Sequence, residues 1–182
     1  MKNLDRSSLI LALEELGKHA LEESVELEVC IYDGSAMLLA YDSRNATKDI
    51  DAICKPPEIA KSLASKVARK LNLHEDWLND RVIQFLGPAP LKGRRELDLE
   101  IPGLKIFVAT ANYLLAMKAL ACRDPLPRYL GDHEDIVFLI RKIGIQSVEE
   151  IQERVDQHFP DEVITPRNKE TLETLIKEVQ DA

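Results

Sequence analysis

The 182 residues are 45% apolar and carry a formal net charge of -8, values that suit a folded domain with a real core and argue against broad, charge-driven nucleic-acid binding. No apolar run reaches the ~18 to 20 residues that span a bilayer, and Met1–Arg6 lacks the apolar stretch and cleavage site of a signal peptide. Cys30, Cys54 and Cys122 are odd in number and set among apolar residues, as free thiols in a reducing compartment are, so a soluble, cytoplasmic protein with no membrane partner is expected.

Ser7 or Ser8 is placed to cap a first helix running to about Glu22, with Leu9, Leu13, Leu16 and Ala20 on its buried side. Val25, Leu27, Val29 and Ile31 then alternate with Glu26, Glu28 and Cys30, the pattern of a half-buried strand. That strand empties into Asp33-Gly34-Ser35, and a short apolar helix, Ala36 to Ala40, follows. A small-residue turn ahead of a helix brings backbone N–H groups and one hydroxyl close to an anion, where a larger side chain would block the approach.

After the loop Tyr41–Lys48, Asp49-Ile50-Asp51-Ala52-Ile53 reads as a strand. With a period of two, Asp49 and Asp51 share one face, while Ile50 and Ile53 are available to the core. Like charges so close repel and resist burial, and hard oxygen ligands of this kind suit Mg²⁺ or Mn²⁺. A lone Asp-x-Asp also arises on solvated loops. Its position on an apolar strand, just after a strand–Gly-Ser–helix unit, points to phosphoryl or nucleotidyl transfer.

Lys55-Pro56-Pro57 ends this strand and opens a helix with Ile59, Leu63, Val67 and Leu71 at four-residue spacing. The basic residues Lys61, Lys66, Arg69 and Lys70, like Lys92, Arg94 and Arg95, read as solvated surface. Glu75 to Leu86 reads as a short helix, with Trp77 structural, and Gly87 to Gly93 as a Pro/Gly loop. Leu97, Leu99 and Ile101 alternate with acidic residues before a Pro102-Gly103 turn and the return strand Leu104–Val108, a β-hairpin. Asp98 and Glu100 share one face of it; a solvent face is the simpler reading, a third metal ligand the alternative.

Thr110 is set to cap an apolar helix from Ala111 to about Cys122. Lys118 interrupts it: for this residue alone snorkelling to the surface is the simpler reading, and a buried ammonium with a negative partner the alternative. A loop rich in Pro and Arg follows, then a helix from about Asp132 to Ile143. There Asp132, Asp135, Ile136, Leu139 and Ile143 share a stripe. Asp132 is explained as an N-cap or first-turn acid, whereas Asp135 on the core face could pair with Lys118, orient it or act as a base. Ser147-Val148-Glu149-Glu150 opens a further helix as a capping box, and Thr165-Pro166 opens the last. These elements predict one α+β domain over 1–182, with a core of about 7–145, a mixed sheet flanked by helices, and a helical C-terminal third (helices of about 146–182).

Tyr32-Asp33-Gly34-Ser35-Ala36-Met37, with Arg44, Thr47 and Asp49-Ile50-Asp51, resembles the signature of the nucleotidyltransferase superfamily. Glu75-Asp76-Trp77-Leu78-Asn79-Asp80, Pro102-Gly103-Leu104 and Tyr113–Lys118 resemble a small bacterial nucleotidyltransferase-like family, distantly similar to AbiE-type toxins of toxin–antitoxin systems. The resemblance covers roughly residues 7–160 and implies a nucleotidyltransferase-type fold. It implies Mg²⁺ or Mn²⁺ on Asp49 and Asp51, and contacts to a nucleoside triphosphate from Gly34 and Ser35, with Arg44 as a further phosphate contact or a structural salt bridge. It also implies that Lys118 and Asp135 complete the site. The expected activity is transfer of a nucleoside monophosphate to a hydroxyl of an RNA, a protein or a small molecule, toxin-like if a neutralising protein partner exists. A catalytically silent module of the same fold, binding a protein or nucleotide, is the alternative.

Overall fold

The computed structural model describes residues 3–126 and 131–182; the middle of the expected Pro/Arg-rich loop, 127–130, lies outside the described residues. Its contacts divide the chain into two compact units, one of Met1–Gln84 with Arg94–Ala109, the other of Phe85–Gly93 with Thr110–Ala182. The whole is mixed α+β, and all the long strands belong to the first unit. Among the described residues, no helix is long and apolar enough to cross a membrane.

In the first unit a two-residue strand β1 (Leu4–Asp5) leads into α1 (Arg6–Glu22). The cap of α1 is Asp5 and not a serine: its Oδ1 accepts the Ser8 N–H at 2.8 Å. Then come β2 (Leu27–Ile31), α2 (Asp33–Tyr41), β3 (Ala46–Thr47), β4 (Ile50–Lys55) and α3 (Pro57–Leu71). The segment expected as one short helix from Glu75 is instead a 3-10 turn (Glu75–Trp77), a two-residue strand β5 (Leu78–Asn79) and a second 3-10 turn. Trp77 is structural, as expected: it is buried, and its Nε1 donates to the Ala64 carbonyl of α3 at 2.9 Å.

The hairpin forms with a different first strand. β6 is Arg94–Glu96, paired antiparallel with β7 (Leu104–Ala109), and Ile101 adds an isolated bridge to Leu104. Leu97 still donates its N–H to the Ile106 carbonyl at 3.0 Å, but Asp98–Glu100 lie outside the ladder, with Asp98 and Glu100 exposed. The five-stranded sheet has the order β5-β4-β2-β7-β6, with β2–β7 and β4–β5 parallel and the other pairs antiparallel.

Directly paired residues share a face of a sheet, and the register sorts this one cleanly. Leu27, Val29 and Ile31 pair with Leu104, Ile106 and Val108, and Ile31 also with Ala52; all are buried. Helices α1 and α3 pack on each other and on the sheet, and α1 comes close enough at Gly17 that a Cβ there would collide with the Pro102 carbonyl. The opposite face carries Glu28, Cys30, Asp51, Ile53 and Asn79. Ile53 therefore lies on the carboxylate face and is half-buried, and Ala52 takes the core position beside Ile50.

The second unit holds α4 (Ala111–Ala121), α5 (His133–Ile143), α6 (Val148–His158) and α7 (Pro166–Gln180). Thr110, Ser147 and Thr165 cap α4, α6 and α7 through their side chains, as their local patterns require. α4 is buried from Tyr113 to Ala119 and meets the other three helices. The Asn168 amide of α7 donates to the carbonyls of Ala119 and Leu120 at 3.1 and 2.8 Å. It thereby satisfies acceptors that the end of α4 leaves without intrahelical donors.

Candidate functional site

In the first unit the predicted residues gather where β2 hands over to α2. The Tyr32 N–H donates to the Asp51 carbonyl at 2.8 Å, extending the β2–β4 ladder one residue past Ile31. Asp51 therefore lies across from the residue that precedes α2. Gly34 and Ser35 do not form a turn ahead of the helix; they are its first turn. Tyr32 at the N-cap makes no side-chain capping bond to the helix, and first-turn N–H groups have no intrahelical acceptor, so the positive end of the dipole is presented there.

Gly34 is needed for space. A Cβ on it would stand 2.8 Å from Arg44 Nη1 and 3.4 Å from Thr47 Oγ1. The Arg44 guanidinium thus lies against the first turn of α2, placing a cationic side chain beside the helix terminus. Asp33, the first residue of α2, has φ +46°, a left-handed conformation costing about 1–2 kcal/mol for a residue with a Cβ. Ser35 is buried and its Oγ donates to the Tyr32 carbonyl at 2.9 Å. Its hydroxyl proton is thus already committed within the turn, and what the residue offers an anion is its backbone N–H.

Asp49 lies one residue ahead of β4, in a bend, so the strand period does not aim it. Thr47 Oγ1 donates to the Asp49 carbonyl at 3.1 Å, and Asn79 Nδ2 donates to Asp49 Oδ2 at 3.3 Å. Asn79 is also the register partner of Asp51. Burial pushes the Asp49 carboxyl above the ordinary aspartate range. Arg81, the Asn79 hydrogen bond and Lys48 work against that rise, while the charge of Asp33 adds to it. The donor set is oxygen, half-buried and crowded with negative charge, which suits a hard divalent cation; a cation there would replace the proton that burial favours on Asp49. Among the described residues of this unit, no three His, Cys, Asp or Glu ligand atoms lie mutually within 4.8 Å, so Asp98 and Glu100 do not join Asp49 and Asp51 as such a set.

In the second unit Lys118 is fully buried and does not snorkel. Its Nζ lies 3.0 Å from Asp132 Oδ1 and 2.8 Å from Asp135 Oδ2. Asp132 stands at the N-cap of α5, but its side chain caps nothing. It accepts instead from Arg123 Nε at 2.7 Å, Arg123 Nη2 at 2.9 Å and the Arg123 backbone N–H at 3.0 Å. Burial opposes ionisation of Asp132, but these bonds and the charge of Lys118 outweigh it and hold its carboxyl below the usual range. Lys118 and Asp135 thus pair, one of the roles the sequence left open for Asp135, and the snorkelling reading of Lys118 is corrected.

Arg123, Asp132 and Asn79 were missed as participants. Arg123 and Asp132 are nine residues apart across a loop, and Asp132 has an adequate local explanation as a cap. Asn79 carries no local signal beyond its place in a polar break after Trp77. Comparison with known proteins finds no matching family model, and neither a curated protein nor a solved structure that matches.

Proposed function

We propose that this chain is a metal-dependent nucleotidyltransferase with a nucleotidyltransferase-type fold, moving a nucleoside monophosphate from a nucleoside triphosphate to an acceptor hydroxyl. The observation that carries this reading is the Arg44 guanidinium packed against Gly34 in the first turn of α2, where Asp51 adjoins the helix start. A cation and a helix N-terminus together recognise phosphate, and the neighbouring carboxylates recognise the metal that accompanies it.

In this reading the N–H groups of Gly34 and Ser35 and the Arg44 guanidinium hold the triphosphate. Asp49 and Asp51 hold Mg²⁺ or Mn²⁺, which when bound supplies charge neutralisation at the phosphates. The acceptor oxygen bonds to the α-phosphorus, the bond to pyrophosphate breaks in line, and the hydroxyl proton is released to water. The gain comes from positioning and electrostatics, since the protein forms no covalent bond itself. Lys118 and Asp135, which the resemblance assigns to the same chemistry, pair with each other in the second unit. The acceptor in this reading is an RNA, a protein or a small molecule, and a toxin-like role would require a neutralising protein partner. The committed Ser35 hydroxyl, and the lack among the described residues of a third carboxylate grouped with Asp49 and Asp51, favour, as the second reading, a silent module that binds a nucleotide or a protein.

The test is incubation with Mg²⁺ and each α-labelled nucleoside triphosphate, with total RNA, cellular protein and small metabolites offered as acceptors. Label transferred by the wild type and lost in Asp51→Asn is the expected result. No transfer to any pool, with nucleotide binding retained, would move the assignment to the silent module.

A further inference from the structure

Asp49 is the carboxylate that most needs outside help to hold its direction. It lies in a bend, where neither a strand ladder nor a helix sets its rotamer. The side chain that reaches it is Asn79 on β5, and that amide is itself fixed at both ends. Its Oδ1 accepts the Arg81 N–H at 3.1 Å, while its Nδ2 donates to the Asp76 carbonyl and to Asp49 Oδ2, each at 3.3 Å. The acceptor end faces a backbone N–H and the donor end faces a carbonyl and a carboxylate, so only one orientation of the amide satisfies all three partners. β5 in turn is anchored next to the buried Trp77, and its Asn79 is registered against Asp51. One short strand therefore spans both carboxylates, by backbone pairing to one and by side chain to the other.

We infer that Asn79 is a positioning residue for the divalent-metal site, holding Asp49 Oδ2 so that the other carboxylate oxygen faces the cation held with Asp51. This rests on the metal reading of Asp49 and Asp51 proposed above. Groups that orient metal-binding carboxylates typically contribute 10–100-fold in affinity. Arg81 also acts on Asp49 through its charge, but its guanidinium bonds Asp76 at 2.8 Å, and the side chain hydrogen-bonded to the Asp49 carboxylate is Asn79.

The experiment is Mn²⁺ titration, followed by loss of the free-ion electron paramagnetic resonance signal, on the full chain and on Asn79→Ala, Asn79→His and Asp49→Asn. Thermal melting without metal is run on each. Asn79→Ala is expected to weaken Mn²⁺ about tenfold or more, with at most a small metal-free melting loss from its hydrogen bonds. Asn79→His, whose Nδ1–H can stand where the amide Nδ2 stands, is expected to restore most of the affinity. Equal affinity in Asn79→Ala and wild type would overturn the inference while leaving the metal site intact. So would a large metal-free melting loss shared by both variants with no rescue, since that marks a structural role. No Mn²⁺ binding by the wild type would overturn the metal reading and this role with it.

Discussion

Replacing Lys118 by Met tests whether the buried ionic cluster of the second unit is as interdependent as its geometry implies. The substitution keeps most of the side-chain volume in α4 but takes an ammonium away from two carboxylates at 3.0 and 2.8 Å. Lys118 and Asp132 are fully buried and Asp135 is 2% exposed, so water cannot take over. Removing one member of a buried ion pair costs about 3–5 kcal/mol. Arg123, 47% exposed, still grips Asp132, which places the expectation near the lower end. About 3 kcal/mol in a chain of this size lowers Tm by about 6–12 °C.

The pH dependence sharpens the test. Asp132 has a depressed carboxyl in the native protein, so its contribution is complete above the unfolded pKa and is lost as pH falls through the folded one. Without the ammonium the Asp132 carboxyl loses one of the charges that hold it low and keeps its proton more readily, so acid relieves the variant as it weakens the wild type. Circular-dichroism melts at pH 7 and at about pH 4, near the ordinary aspartate value, should show a gap that narrows on acidification. Lys118→Met with Asp135→Leu should recover much of the loss, because an apolar replacement of the pair removes the stranded charge. A drop under about 2 °C, or a gap that is the same at both pH values, would refute this account of the cluster.

Asp49 behaves in the opposite sense. Its raised carboxyl contributes stability below the unfolded pKa that is lost as pH rises through the folded pKa. Asp49→Asn should therefore melt at or above wild type at pH 8 without metal, with the advantage gone near pH 3, while Mg²⁺ and nucleotide stabilise only the wild type. Gly34→Val should abolish that nucleotide-dependent thermal shift, since its side chain would displace the Arg44 guanidinium, 2.8 Å from the position of a Cβ; an unchanged shift in a differential scanning fluorimetry assay counts against the phosphate cradle. Trp77→Phe should lose about 1 kcal/mol by urea denaturation, the net worth of the bond to the Ala64 carbonyl.

What the chain determines locally was legible from it. The caps Thr110, Ser147 and Thr165 act within three residues of themselves, and helix periodicity follows from 3.6 residues per turn, so α1, α3, α4, α6 and α7 stand close to where the pattern predicts. Lys118 stood out as one ammonium in an apolar helix, and the structure decided between a countercharge and snorkelling. Asp51 and Gly34 were picked out by their residue pattern and Arg44 by the resemblance; Gly34 lies where β2 passes into α2, with Arg44 and Asp51 beside that point.

What escaped depends on which segments meet. Leu97–Glu100 alternates as well as any strand, yet β7 pairs with Arg94–Glu96, because a ladder register is settled by the partner and not by the alternating segment. Ser35 looked like a free hydroxyl until the carbonyl of Tyr32 was placed beside it. Asp132 satisfied every local rule for a cap, but its oxygens went to Lys118 and Arg123, charges whose attraction in a buried setting outweighs a single capping bond. Asn79 acquires its meaning only from β5 lying beside β4. Hydrogen bonds between segments distant in sequence have no period, so residues of that kind become visible only when the tertiary structure sets their partners next to them.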